Sequence, residues 1–403
     1  MTLAHRRFPA LAACLLSFAL AVAAQEKPAP PKQEQHASEA AQALAAVDEI
    51  LQQVSKITNL PIKQKVQGEV VSREQIRDYI AQRMKDSVTR EQMHAQEVAF
   101  IKFGLLPPGF QLEKFELDLL AEQATAFYDP KLKKIFLSDW APLDLQKPAI
   151  AHELTHALQD QHTNLDTFME NKSMSQDEAD ARQAVVEGEG VLAMMDYMLA
   201  PTGTKAADVP NLAQIVESAT KMETDKFPVF SAAPAYLKEG LLFPYTWGLV
   251  YAQAKGKTLG KDLYGALLDH PPHSTHEVMH PDAPSVAVPE LDAPEIFALA
   301  RDGYKKLDSN VLGELDIFIL LKEMLSDAVA KAVAPSWRGF RYEVYENADG
   351  KVMLAHRSQW KDAASASAFA EAYRKVIAKK AFLEDSTVTV HGDTVDVVEG
   401  LHK

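Results

Sequence analysis

The sequence predicts an α+β fold: a mostly helical core with a β-hairpin or small sheet ahead of its central helix, and a small β-β-α-β-β unit at the C-terminus. Three observations predict it. Apolar residues recur at helical spacing through most of residues 38–325. Residues 124–138 (ATAFYDPKLKKIFLS) instead place β-branched and aromatic residues on two short arms around Asp129-Pro130, which has turn chemistry. Beyond Pro335 the apolar residues alternate, and Gly392-Asp393 marks a hairpin turn.

The chain has 403 residues, 47% hydrophobic and 24% charged, which excludes wholesale disorder, collagen and coiled coil and leaves room for a large core. Its formal charge of −14 argues against a nucleic-acid partner or an anionic membrane surface, both of which select basic patches. The one cysteine, Cys14, excludes a disulfide scaffold and a thiolate metal site.

Residues 1–24 have the layout of a secretory signal peptide. Arg6 and Arg7 lead an apolar run that closes on Ala21, Ala23 and Ala24. An exported protein, periplasmic or secreted, is expected. Leu11-Ala12-Ala13-Cys14 also resembles a lipoprotein processing box, so lipid anchoring through Cys14 is a secondary reading. After the signal no window is long and apolar enough to span a bilayer, so no stable membrane insertion of the mature chain is expected.

The remaining elements follow in order. Gln25–Ala37 is rich in Pro, Gln and Lys and reads as a flexible linker. Residues 38–335 form the expected main domain. Ser38 is placed to cap a helix through Ile57, with Ala40, Leu44, Val47, Ile50, Leu51 and Val54 on one stripe. Ser72 is placed to cap another, and Gly104–Gly109 breaks the chain. After the 124–138 hairpin, Pro148 leads into an apolar helix from about Ala149. A further helix fits Gln176–Leu199, and mostly helical sequence runs on to about Leu325. Residues 336–403 are the small α+β region, with strands near 341–346, 352–356, 388–390 and 395–398 around a helix at 366–380.

His152-Glu153-Leu154-Thr155-His156 lies inside the predicted 149–158 helix. Side chains at i and i+4 stand one above the other, so both imidazoles share a face, the arrangement that suits zinc. Glu153 sits on the rim of that face, where a carboxylate serves as general base toward metal-activated water. Ile150, Ala151, Leu154, Ala157 and Leu158 make the helix apolar, so the pair is expected to be partly buried and to need partners. Catalytic zinc needs a third protein ligand, and the candidates are Glu187 and Glu189 in Val186-Glu187-Gly188-Glu189-Gly190. Two residues apart they point about 200° from each other round a helix, so only one faces the metal. Gly188 and Gly190 permit close packing against the first helix. Arg182 is a candidate partner for a buried Glu189.

The motif at 152–156, with Asp160 four residues on, resembles the active helix of gluzincin zinc metallopeptidases of the thermolysin kind. More broadly the chain is similar to a family of secreted bacterial metallopeptidase-like proteins. The matching pieces are Gly104-Leu105-Leu106-Pro107, Ala126–Pro130, residues 152–161, Val186–Glu189, Pro271-Pro272 with Ser274-Thr275, His280-Pro281, Leu312-Gly313-Glu314 and Trp337 to Tyr342. The resemblance covers about residues 40–345. It implies one zinc per chain held by His152, His156 and Glu187, with Glu153 as base, and peptide-bond hydrolysis. Thermolysin-like enzymes carry an acid four residues after the glutamate ligand; Val191 stands there, so the support for the zinc histidines is sought in Asp160, Asp180 or Glu189. Phe340 and Ala126 also depart from the pattern.

An oxyanion donor is expected from the histidine-rich DHPPHSTHEVMH at 269–280, with His280 as candidate. A second metal site from His273 and His276 in the same stretch is a weaker reading. A peptide or protein substrate, extended and paired to the 124–138 hairpin, is the expected partner. Two other readings stay open: a zinc-stabilised envelope scaffold without catalysis, and a zinc hydrolase of a non-peptide amide or ester.

Overall fold

A computed structural model describes residues 33–401, apart from 124, 170–173, 213, 217, 219–226, 296–302 and 381–384. The expected signal peptide, Cys14 and most of the 25–37 linker lie outside the described residues. The fold is α+β, with a three-stranded sheet ordered β1-β3-β2 and a five-stranded sheet ordered β4-β5-β6-β8-β7. Among the described residues no helix is long and apolar enough to cross a membrane.

Helix α1 spans Gln33–Thr58. It starts ahead of Ser38, which therefore lies within it and is not its cap; Gln33-Glu34-Gln35 are good helix formers and the last proline is Pro31. Its stripe of Ala40, Val47, Ile50, Leu51 and Val54 is buried. Strand β1 (Gln67–Val71) precedes α2 (Arg73–Ser87), which Ser72 opens with a reciprocal capping box to Gln75. Helix α3 (Arg90–Phe103) ends on Gly104 at φ 87°, a left-handed cap that glycine adopts without Cβ strain. Helix α4 covers Leu112–Gln123.

The predicted hairpin is β2 (Ala126–Asp129) with β3 (Lys134–Ser138), and β1 adds to β3 in parallel. Asp129 Oδ1 accepts from the N–H groups of Lys131 and Leu132, the turn role its sequence suggested. Phe127 and Phe136 stack across the pair, with Tyr79 of α2 against both.

Helix α5 runs Leu143–Thr163, so Pro148 sits inside its first two turns where a start near Ala149 was expected. So close to the N-terminus proline forfeits one intrahelical bond and the helix continues. Helix α6 (Gln176–Leu199) is capped by Ser175. It packs between α5 and α7 (Ala235–Leu259), while α1 lies along α5. A short helix α8 (Thr275–Met279) follows, capped by Ser274.

The C-terminal sheet is larger than the sequence suggested. A strand β4 (Lys305–Asn310) lies in the stretch read as helical, and pairs with β5 (Trp337–Glu346). Helices α9 (Glu314–Met324) and α10 (Asp327–Val333) connect them. β6 (Val352–Trp360), α11 (Ala363–Lys379), β7 (Asp385–His391) and β8 (Thr394–Leu401) follow, and Gly392 turns the last hairpin at φ 62°. One apolar core runs from Ala43 of α1 to Val397 of β8, so the sheet is packed on the helical part through Phe103, Phe340 and Tyr342.

Candidate metal centre

Helices α5 and α6 bring His152, His156 and Glu187 together. The Nε2 atoms of the two histidines are 3.0 Å apart. Glu187 Oε2 is 3.1 Å from Nε2 of His152 and 3.4 Å from that of His156. Ligands about 2.0–2.1 Å from a tetrahedral zinc stand roughly 3.3 Å from one another, so this triangle is one face of such a site. His152, Glu153 and Glu187 are 0% exposed and His156 is 2% exposed.

Hydrogen bonding sets the state of His156. Gln159 Nε2 donates to Glu189 Oε2 at 2.7 Å and to the carbonyl of Val186 at 3.2 Å. Its Oε1, 2.8 Å from His156 Nδ1, is therefore the acceptor, and Nδ1 carries the proton. The neutral ring then turns the Nε2 lone pair into the triangle. Nδ1 of His152 faces the Gly190 backbone without a well-formed hydrogen bond. Lone pairs and a carboxylate meeting in a buried space repel unless a cation lies among them. Burial alone would lower the His156 pKa, but the Glu187 carboxylate outweighs it and raises it to about 9. Burial would raise Glu187, yet the two imidazoles hold it well below the usual carboxylate range. Without metal a proton fills the role of cation; with metal, the donor set fits zinc.

Glu153 stands beside this triangle, with a carboxylate oxygen within 4.8 Å of the imidazole nitrogens. Its Oε2 accepts the N–H of Tyr128 at 2.8 Å, and its Oε1 has no hydrogen-bond partner. Burial pushes its pKa up to about 8. β2 is an edge strand, and Thr125 bonds inward to Ser138, so Tyr128 turns its N–H to the outer edge. That edge is buried and occupied by Glu153, whereas an exposed one was expected for a substrate strand.

Of the two candidate acids, Glu187 is the one brought to the histidines. Glu189 points to Gln159, and burial raises its pKa well above normal. Arg182 bonds Glu178 and the carbonyl of Phe168, not Glu189. Asp160 holds Tyr128 Oη and Lys133, and Asp180 receives Gln176. The residue that orients His156 is thus Gln159, which the sequence reading missed; its signal was a polar side chain one turn beyond His156 on the same helix. Gly190 does pack on the first helix, since a Cβ there would lie 2.7 Å from His152 Cε1. Gly188 does not: its Cβ would lie 2.2 Å from the backbone of Gly248 in α7.

His280, expected beside the zinc, is held elsewhere. Its Nε2 is 3.0 Å from both oxygens of Glu314, and His276 Nδ1 bonds the same carboxylate. The adjoining Thr275 bonds Asp177, ten residues before Glu187 on α6, or roughly 15 Å along a helix. His273 is 66% exposed and lies 3.9 Å from Glu178, so the histidine that pairs with His276 is His280.

A family model described as a domain of unknown function (DUF8575) matches residues 298–402, the C-terminal sheet with α9 to α11, and does not reach the 152–189 centre. No curated protein and no solved structure matches the chain.

Proposed function

We propose that the chain is a zinc-dependent hydrolase of peptide bonds, with His152, His156 and Glu187 as ligands. The observation that carries this reading is the triangle of two imidazole nitrogens and one carboxylate oxygen beside a fourth group, Glu153, that is close yet outside it. A structural zinc gains nothing from a buried carboxylate with a spare oxygen, which costs free energy; a hydrolytic centre needs one. Zinc held there supplies positive charge that polarises a carbonyl, lowers the pKa of a water and returns Glu153 toward its ionised form. The Tyr128 N–H anchors one oxygen of Glu153, and the other is free to accept a proton. Gln159 keeps the His156 lone pair aimed inward. Since these side chains are sealed from solvent, a chain substrate reaches them only when a covering element moves aside.

That closure favours a second reading, a zinc that stabilises an exported scaffold without turnover. One experiment separates them. Purified mature protein is assayed for zinc and for cleavage of an unstructured protein substrate. Glu153→Gln should retain the metal and lose roughly 10²–10⁴-fold in turnover. Wild-type protein with zinc but no cleavage supports the scaffold, and equal cleavage by the variant rules out Glu153 as base.

A further inference from the structure

We propose that His276, His280 and Glu314 form a second divalent-cation site, selective for a transition metal of the zinc class and distinct from the 152–187 centre. One ring nitrogen each of His276 and His280 and an oxygen of Glu314 all lie within 4.8 Å of one another, and it is Nδ1 of His276 and Nε2 of His280 that contact the carboxylate. Glu314 is 1% exposed, and both of its oxygens lie 3.0 Å from His280 Nε2. In the ion-free state the two imidazole N–H groups satisfy the buried carboxylate; a divalent cation would take the place of those two protons, with the same three side chains turned to it as ligands. Two nitrogens and a carboxylate select zinc-like ions over calcium or magnesium, which prefer all-oxygen shells. The His280 side chain is 31% exposed, so this site opens to solvent where the first is sealed.

The frame around it is built without any ion. Thr275 donates both its N–H and its hydroxyl to the buried Asp177 and accepts the N–H of Leu315, which ties α8 to the start of α9. Gly313 lies so close that a Cβ would meet Asp177 Oδ1 at 1.8 Å and Thr275 Oγ1 at 2.5 Å. Trp337 of β5 packs against the His276 ring and donates its indole N–H to Leu312. Such a frame holds the ligands in place before a metal arrives, the condition for tight binding. His276 and His280 precede the matched region 298–402 and Glu314 lies within it, so the ion cross-links the C-terminal sheet assembly to the helical part.

The test uses the full chain, stripped with chelator, re-equilibrated with zinc alone and counted for bound metal. Two equivalents are expected, and one in His280→Asn, a change at a part-exposed side chain whose folding is checked by circular dichroism. One equivalent in both proteins overturns the second site and leaves the first reading standing. A single equivalent that His280→Asn abolishes upholds the second site and removes the first, and no bound zinc overturns both. Anomalous scattering at the zinc edge from crystals of the unmodified protein decides without substitution. A peak among the three side chains is expected, and its absence at saturating zinc defeats the proposal.

Discussion

Two turns of this chain place histidines four residues apart, and they end in different surroundings. His152 and His156 lie within α5, beneath α6, with neither ring more than 2% exposed. His276 and His280 lie on and just past the five-residue α8, and His280 is open to water. Both pairs receive a glutamate from a distant helix. At the first, a second layer of Gln159 and Glu189 sets the tautomer; at the second, backbone ties through Thr275 and Asp177 set the spacing. The lesson is that the four-residue interval aligns two rings and nothing more. The element packed on top decides whether the rings act in a dry or a wet site, and which nitrogen is turned inward.

The sharpest way to break the contrast is at the seal of the first centre. Gly188→Ala would force a methyl onto the Gly248 backbone, where neither side can give, and should cost at least the ~1–3 kcal/mol typical of overpacking. Chemical denaturation reads this directly, and an unchanged midpoint would show that α6 and α7 are not in contact there. A more selective probe is Gln159→Leu, which removes the acceptor for His156 Nδ1. It should weaken zinc at the 152–187 centre by roughly 10–100-fold and leave the 276–314 equivalent as it was. Equal weakening at both, in competition with a chromogenic chelator, would erase the distinction.

A third test is the effect of pH on the metal-free chain. His156 and Glu153 both have folded pKa values above their free ones, at about 9 and about 8. Stability from a raised pKa is fully present below the free value and is lost as pH rises through the folded one. Glu187 has a lowered pKa, whose contribution disappears only in acid. The melting temperature of stripped protein should therefore fall between pH 6 and pH 9, and zinc should flatten the fall. A curve that is flat without metal would mean that the three donors do not meet in a buried space.

Much of this was legible residue by residue. The stripe of α1, the Ser72 cap, the Asp129-Pro130 turn and the Gly392 hairpin each follow from a local rule, and each is present. The placement of His152, Glu153 and His156 on one helix follows from spacing alone. What failed were boundaries and distant partners: α1 and α5 begin early because nothing nearby stops them, and β4 gains its strand identity by pairing with β5, on the far side of two helices.

The sequence by itself therefore determined a helix carrying two aligned imidazoles with a carboxylate between them, because helical geometry acts over a few residues. The resemblance already pointed to Glu187 over Glu189, and the packing of α6 brings Glu187 to those rings; only the tertiary structure decided that Gln159 supports them and that His280 belongs to Glu314. Those choices depend on how α6, α8 and α9 pack, and packing joins residues far apart in the chain that leave no local pattern to read.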